Sequence, residues 1–391
     1  MRRICIKMMM KQGEKPVLIS WRAMAKIVKG KTNLNGGDVT EFLQNGGKID
    51  DEKVSKINIL YGIDIFNASY DPVEWVIQDL FPMRAKTIAV GDFEAGKSYF
   101  TLGAALSIAS GKTEYLGFTI KKQRKVLYVD LENGHQETIK RVHKLAKGHG
   151  IDTEMCRDTF GLLTKPGDFE DVFPMIEAQV EVFCPDVIII DNLYQLSGSS
   201  NIADADKIKP LLTRIENLRS QKESAIILVH HFNKNTQEQG LTEERMAGSS
   251  VINWWYEHCV MIGKTCESFS ALGIGKSRLE NKNRGTYAIE IVDTHDDGIM
   301  MQKRFLIKPE SISQLMIAKS KKIKWESHLE RMPNLFQTHE WLNVCGDKHG
   351  ESVTDMTAHR WLNDMVGYGM IKKLGHGRYK KTNAEFYAEN D

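Results

Sequence analysis

The octapeptide Gly91-Asp92-Phe93-Glu94-Ala95-Gly96-Lys97-Ser98 fits the phosphate-binding pattern G-x-x-x-x-G-K-[ST] at every position. An apolar run, Thr87-Ile88-Ala89-Val90, precedes it, and a helical pattern from Tyr99 to Ala109 follows. This strand–loop–helix setting is what the pattern needs to hold phosphate. Gly91 and Gly96 let the backbone wrap an anion so that successive N–H groups point inward. The helix opening at Tyr99 adds a favourable dipole and orphan donors. Lys97 supplies a point charge to the β- and γ-phosphates, and the Ser98 hydroxyl can ligate Mg²⁺. Asp92 and Glu94 place carboxylates near an anionic ligand, so they must point away or reach the metal.

Four further groups could complete a hydrolytic site. Asp191 closes the apolar run Val187–Ile190, and a carboxylate at the tip of a buried strand beside a phosphate loop can hold Mg²⁺ through water, the Walker-B role. Glu132 lies just past the run Val126–Val129, where it can orient and deprotonate an attacking water; Asp130 competes for that task. His230-His231 follows the run Ala225–Val229. Neighbouring strand residues face opposite ways, so only one can face a nucleotide and sense its γ-phosphate, and the pattern leaves open which. Lys282 and Arg284, in Asn-Lys-Asn-Arg-Gly, project the same way from extended chain and could stabilise charge on a transferring phosphoryl group or simply be solvated. The stretch Gly273–Ser277, GIGKS, imitates half of a phosphate loop. Residue 270 is serine where the first glycine should be, and no helix follows, so it reads as strand.

The elements that must position these groups alternate between Pro72 and about Ile307. Apolar strands at 87–90, 126–129, 187–190 and 225–229 are separated by helical patterns, which signals an α/β fold with a mostly parallel sheet covered on both faces. Three of these strands end in the polar residues named above, so the chemistry collects at the carboxyl edge of the sheet, where such folds bind ligands. Two more strands are expected at 257–262 and 287–292. THDDG at 294–298 reads as a turn into a strand at 299–306.

The chain has 391 residues and a formal net charge of +2, room for two or three domains and no global nucleic-acid footprint. A local basic patch stands at the start: nine Lys or Arg against one acid, Glu14, in residues 1–31. The six cysteines form no C-x-x-C pair and are expected to be reduced in a cytoplasmic protein. The N-terminus lacks the pattern of a signal peptide. No apolar run is long enough to span a membrane.

Residues 1–60 form an N-terminal segment, residues 61–310 the α/β core, and 311–333 a Lys- and Ser-rich linker around a short helix, Ile312–Ala318. In 334–391, two helices (338–344 and 354–366) precede GMIKKLGHGRYKK, a strand–turn–strand at 369–381. Helix–helix–hairpin at this size is a winged-helix pattern. His359, Arg360 and Asn363 could face a DNA groove, and Lys372, Lys373, Arg378, Lys380 and Lys381 crowd the wing, although many winged helices contact protein instead.

Several blocks occur in a telling order: DPVEWVIQDLFP, GDFEAGKS, ASGKTEYLGFTIKKQRKVLYVDLEN, DVIIIDNL, ILVHHFNK, MAGSSVI and KNRG. With them, residues 71–307 resemble the RepA-like branch of the RecA superfamily, hexameric replicative-helicase ATPases of plasmids, phages and integrated mobile elements. The resemblance implies a RecA-like P-loop ATPase core using ATP and Mg²⁺. Lys97 and Ser98 would sit on phosphate and metal, Glu132 would be the catalytic base, Asp191 the Walker-B acid, and His230 or His231 a sensor. Lys282 and Arg284 would reach the nucleotide of a neighbouring subunit. An arginine that the family often carries after the Gly-Ser-Ser block is replaced by Trp254-Trp255-Tyr256-Glu257, which departs from the usual finger assignment. GGDVTEFLQNGG at 36–47 is similar to the last helix of primase-type Toprim domains, but the acidic metal-binding part of such a domain is missing, so no primase activity is implied.

The expected function is a ring-forming DNA motor that hydrolyses ATP between subunits and moves on single-stranded DNA, with a replication initiator or primase as a partner. The loops Ser197–Asp206 and Asn233–Gly248 are candidates to line its channel. The alternatives are an ATP-gated DNA-binding regulator and a recombination-type RecA-like ATPase that does not unwind.

Overall fold

The computed structural model describes residues 63–165, 172–198, 201–279, 285–346 and 353–382. The chain divides into two compact units, Met1–Pro72 and Val73–Asp391. Of the first, the described part holds one short helix, Ile63–Asn67. The basic N-terminus and the Toprim-like block lie outside the described residues.

The second unit is built on a nine-stranded sheet. Its strands are β1 (Lys86–Gly91), β2 (Val126–Asp130), β3 (Phe160–Thr164), β4 (Val187–Asp191), β5 (Ala225–His231), β6 (His258–Lys264), β7 (Ser270–Ser277), β8 (Thr286–Asp293) and β9 (Ile299–Ile307). Their spatial order is β9-β8-β7-β6-β1-β5-β4-β2-β3. β6, β1, β5, β4, β2 and β3 run parallel, and β7, β8 and β9 extend the sheet antiparallel. This is the mostly parallel α/β core expected. GIGKS lies inside β7 as a strand. The edge strand β3 was not anticipated: Phe160–Thr164 has a glycine and half-buried side chains throughout, so it lacks the apolar run of the inner strands.

Alternation along the inner strands assigns each face. Ala89, Val126, Tyr128, Val187, Ile189, Ile227 and Val229 pack in one cluster with helix α1 (Lys97–Ala109) and with Leu145 and Ala146 of helix α2 (His135–Gly148). Ile88, Val90, Leu127, Ile188, Ile190, Ile226 and Leu228 pack on the other face. There they meet helices α3 (Phe173–Phe183), α4 (Ala205–Lys222) and α5 (Ser250–Trp255). With a side-chain period of two, Asp130, Asp191 and His231 fall on the α1 side, and His230 falls on the other.

The C-terminal part holds a three-stranded antiparallel sheet, β10 (Leu335–Gln337), β12 (Arg378–Lys381) and β11 (Ile371–Gly375), in that spatial order. Helices α7 (Thr338–Gly346) and α8 (Asp355–Gly367) pack with this sheet around Trp341, Trp361, Leu362, Met365 and Tyr379. Thr354 caps α8 by accepting from the Thr357 N–H. The helix–helix–hairpin order is as expected.

The stretch 311–333 is more than a linker around one short helix. After Ile312–Leu315 comes a second helix, α6 (Lys319–Leu329), and its Trp325 is fully buried in the C-terminal core. The sequence KSKKIKWESHL reads as a solvated charge run because only Trp325, His328 and Leu329 face inward. The lysines still cover apolar surface: Lys321 Nζ lies 4.8 Å from the Trp325 ring centre and Lys324 Nζ 5.4 Å from that of Trp361.

Candidate nucleotide site

The phosphate loop hangs from the carboxyl end of β1. Gly91 must be glycine, because a Cβ there would lie 2.1 Å from the Ile262 carbonyl oxygen of β6. Gly96 caps α1 with φ +87°, in the left-handed region that favours glycine. Lys97 is 6% exposed and its Nζ donates to the Asp92 carbonyl at 2.6 Å. Burial pulls the Lys97 pKa below its ordinary value, against the opposing pull of Asp191, Glu132 and Asp92. Phe93 is exposed, Ala95 is buried in the core, and Tyr99 lies under the Arg141 guanidinium at 5.3 Å.

Asp92 turns away from the cleft, and Glu94, which lines it, is paired with a cation. The Asp92 carboxylate pairs with the Arg245 guanidinium and accepts from the Lys264 N–H at 2.9 Å. Glu94 pairs with the Lys264 ammonium at 3.1 Å. Of the two possibilities open in the sequence, Asp92 takes the first.

Asp191 is fully buried. It accepts from the Tyr128 hydroxyl at 2.9 Å, the Ser98 hydroxyl lies near it, and its Oδ1 has no hydrogen-bond partner. Burial pushes its pKa up to about 6; the nearby Asp130 and Glu132 charges add to this, and the two hydroxyls oppose it. Among the described residues no cluster of three or more His, Cys, Asp or Glu could hold a metal ion. A hydroxyl, a carboxylate with one orphaned oxygen and a phosphate cradle nevertheless form a donor set that fits a hard cation bound together with phosphate.

The two acids after β2 separate cleanly. Asp130 is consumed locally: it accepts from the N–H groups of Glu132 and Asn133 at 3.0 Å each, from the Asn133 amide, and from the Thr138 hydroxyl at 2.7 Å. It holds the turn into α2. Glu132 reaches across to Asn192, whose Nδ2 donates to Glu132 Oε2 and also meets His231 Nε2 at 3.2 Å. Asn192 in turn caps the short helix Leu193–Leu196 by accepting from the Gln195 N–H. Sequence reasoning missed Asn192, although it directly follows Asp191 at the strand tip and so sits on the ligand edge.

The histidines face apart. His230 is buried on the α4 side, with Nε2 donating to the Ala247 carbonyl at 2.7 Å. His231 lines the cleft of about 300 Å³ formed with Gly96, Lys97, Ser98 and Glu132. Burial pushes both pKa values down to about 4, with the Lys97 charge assisting, so both rings are neutral near pH 7. Because the Asn192 amide donates to His231 Nε2, the His231 proton sits on Nδ1. The structure therefore brings Lys97, Ser98, Glu132, Asp191 and His231 together and turns His230 away. Lys282 and Arg284 lie outside the described residues.

The Asp191 environment yields a stability prediction with a definite sign. Its folded pKa lies above the unfolded value near 4. The stability it lends is complete below about pH 4 and is lost as pH rises through about 6. Without metal at pH 7.5, Asp191→Asn should therefore stabilise the fold by roughly 1–3 kcal/mol. The gain should shrink at pH 5, and added Mg²⁺ with nucleotide should no longer raise the melting temperature. Thermal melts at the two pH values check it; a wild type that melts higher than the variant at pH 7.5 would refute the burial argument.

Residues 61–237 match the family profile of an AAA domain. The matched stretch contains the phosphate loop, Glu132, Asp191, Asn192 and both histidines. No curated protein matches the chain. Among solved structures, a KaiC-like protein of the hyperthermophilic archaeon Pyrococcus horikoshii OT3 is 16% identical with a TM-score of 0.41, and the match covers 59% of this chain and 99% of that one. Among the described residues no helix is long and apolar enough to cross a membrane. The α/β fold, the profile match over residues 61–237 and the cleft together fit a P-loop nucleotide-binding core.

Proposed function

We propose that the chain is a ring-forming, ATP-driven DNA motor, a replicative helicase of a mobile genetic element. The observation that carries the hydrolytic half is that Lys97, Ser98, Glu132 and His231 line one cleft at the carboxyl edge of the sheet, with Asp191 buried next to Lys97 and Ser98. Lys97 exchanges the Asp92 carbonyl for the β- and γ-phosphates. Ser98 and Asp191 would hold Mg²⁺, which when bound would neutralise charge on the phosphates. Glu132, kept in place by Asn192, orients the attacking water and takes its proton. His231, neutral and carrying its proton on Nδ1, offers a donor to the γ-phosphate. Lys282 and Arg284 act on the nucleotide of the neighbouring subunit, as the sequence resemblance implies, and a hexamer is the assembly that supplies that neighbour.

The DNA half rests on that resemblance and on two placements at the sheet edge. Segment 233–248 follows β5 directly, and 197–206 comes after β4 and the short helix Leu193–Leu196; in a ring these positions would turn both to a central channel. Backbone contacts there would make binding indifferent to sequence and sensitive to salt. The test is phosphate release by the full chain. Turnover should rise with single-stranded DNA of any sequence, and the stimulation should fall as salt increases. A response confined to one duplex sequence, with slow turnover, would instead identify an ATP-gated regulator.

A further inference from the structure

Arg245, in segment 233–248, is placed in a way that a channel loop does not require. Its side chain is fully buried, and a buried guanidinium persists only where its donors are satisfied. Nη2 pairs with the Asp92 carboxylate, Nη1 donates to the Gly240 carbonyl at 2.7 Å, and Nε donates to the Thr236 hydroxyl at 3.1 Å. The guanidinium also stacks 4.2 Å over the Phe232 ring. Arg245 thus gathers the segment around itself and fastens it to the phosphate loop.

Both ends of this fastening continue. Asp92 carries Arg245 on its side chain and Lys97 on its carbonyl, so the residue that holds the segment also holds the phosphate-loop lysine. On the other side, Glu238 of the same segment accepts from the Lys321 ammonium at 3.0 Å and from the Tyr368 hydroxyl at 2.9 Å. Lys321 also pairs with Asp364 at 3.5 Å. Contacts therefore run from Lys97 through Asp92 and Arg245 to Thr236 and Gly240, and the backbone between those two carries Glu238, which touches the helices of the C-terminal part.

We propose that Asp92 and Arg245 form a positioning pair that couples the phosphate loop to the C-terminal part through segment 233–246, so that nucleotide occupancy and engagement of that part bias each other. The proposal rests on the nucleotide reading of the cleft. Phosphate must draw Lys97 off the Asp92 carbonyl, and that changes the residue to which Arg245 is tied. Linkage makes the effect reciprocal: whatever holds or releases Glu238 changes nucleotide affinity by the same factor.

Spatial continuity alone does not show coupling, so the test must measure it in both directions. Removing Arg245 or Asp92 outright strands a buried charge and risks the fold. The decisive variants are therefore the remote ones, Glu238→Gln and Tyr368→Phe, singly and together, in the full chain. Binding of a fluorescent ATP analogue should weaken by about fivefold or more in the double variant, the lower end of ordinary allosteric couplings. Asp92→Asn, if its melting curve shows it folded, should make nucleotide affinity indifferent to Glu238 and Tyr368. In wild type, nucleotide should alter hydrogen exchange at both 233–246 and 355–367, which a purely structural contact would not do. Coupling is overturned if wild type binds the analogue, Lys97→Ala does not, and yet neither the affinities of the remote variants nor the exchange of the two segments changes. If wild type binds no nucleotide, the reading of the cleft fails and takes this proposal with it.

Discussion

Lys97→Ala yields a folded chain that releases no phosphate from ATP above background. Lys97 is 6% exposed and its ammonium donates to the Asp92 carbonyl, so the substitution removes one hydrogen bond and a charge from the loop. Alanine is the best helix former and sits here at the first position of α1. What is lost is the cation that meets the β- and γ-phosphates in a water-poor cleft. Loss of a single preorganised donor at a developing charge costs about 10²–10³ in rate, and a full charge at this position should cost no less. Lys97→Arg is not a rescue, because a planar fork cannot replace a compact ammonium in a cradle built by backbone N–H groups. Phosphate release by the purified variant, with its melting temperature as the fold control, is the measurement. Wild-type turnover would remove the phosphate-loop assignment altogether.

Much of this site is legible in the chain because its parts follow local rules. The octapeptide 91–98 is contiguous, and its glycines answer geometric demands: Ile262 crowds Gly91, and Gly96 takes a left-handed turn. The inner strands are apolar runs that end in Asp130, Asp191 and His230-His231, so the sheet and its chemical edge emerge together. The histidine choice stays open in sequence because it depends on which face of the sheet carries α1. Once Val229 and Ile227 are known to pack with α1, the period of two makes His231 the residue in the cleft.

The features that sequence reasoning missed are set by contacts distant along the chain. Asn192 matters because it touches both Glu132 and His231, residues 60 and 39 positions away. Arg245 looks like an ordinary charge in Thr-Glu-Glu-Arg-Met until Asp92, 153 positions earlier, is found on it. Helix α6 was hidden by its lysines, whose stems lie over Trp325 and Trp361. Nothing periodic announces any of these, since each is a tertiary pairing and not a local pattern.

The choice between Glu132 and Asp130 as the base can be decided by contrasting two substitutions of equal size. Glu132→Gln keeps the shape of the side chain and an acceptor oxygen for the Asn192 amide, so the network to His231 survives. The amide cannot take a proton from water. The variant should fold like wild type, bind ATP with Mg²⁺ and accumulate the bound state, with hydrolysis down by about 10²–10⁴, the range of general-base catalysis. Asp130→Asn should behave differently. Its carboxylate accepts from two backbone N–H groups, the Asn133 amide and the Thr138 hydroxyl, and nothing there accepts from it. An amide NH₂ on that side forces the Thr138 hydroxyl to turn to the more distant Gly134 carbonyl at 3.3 Å, and the turn loses hydrogen bonds to a charged acceptor, at a cost of about 1–3 kcal/mol. The Asn variant should thus melt several degrees lower, and any loss of turnover should track the loss of fold. Single-turnover hydrolysis, nucleotide binding and thermal melts on the two proteins separate the roles. A stable Asp130→Asn chain that traps ATP, beside a Glu132→Gln chain that still hydrolyses it, would transfer the base to Asp130.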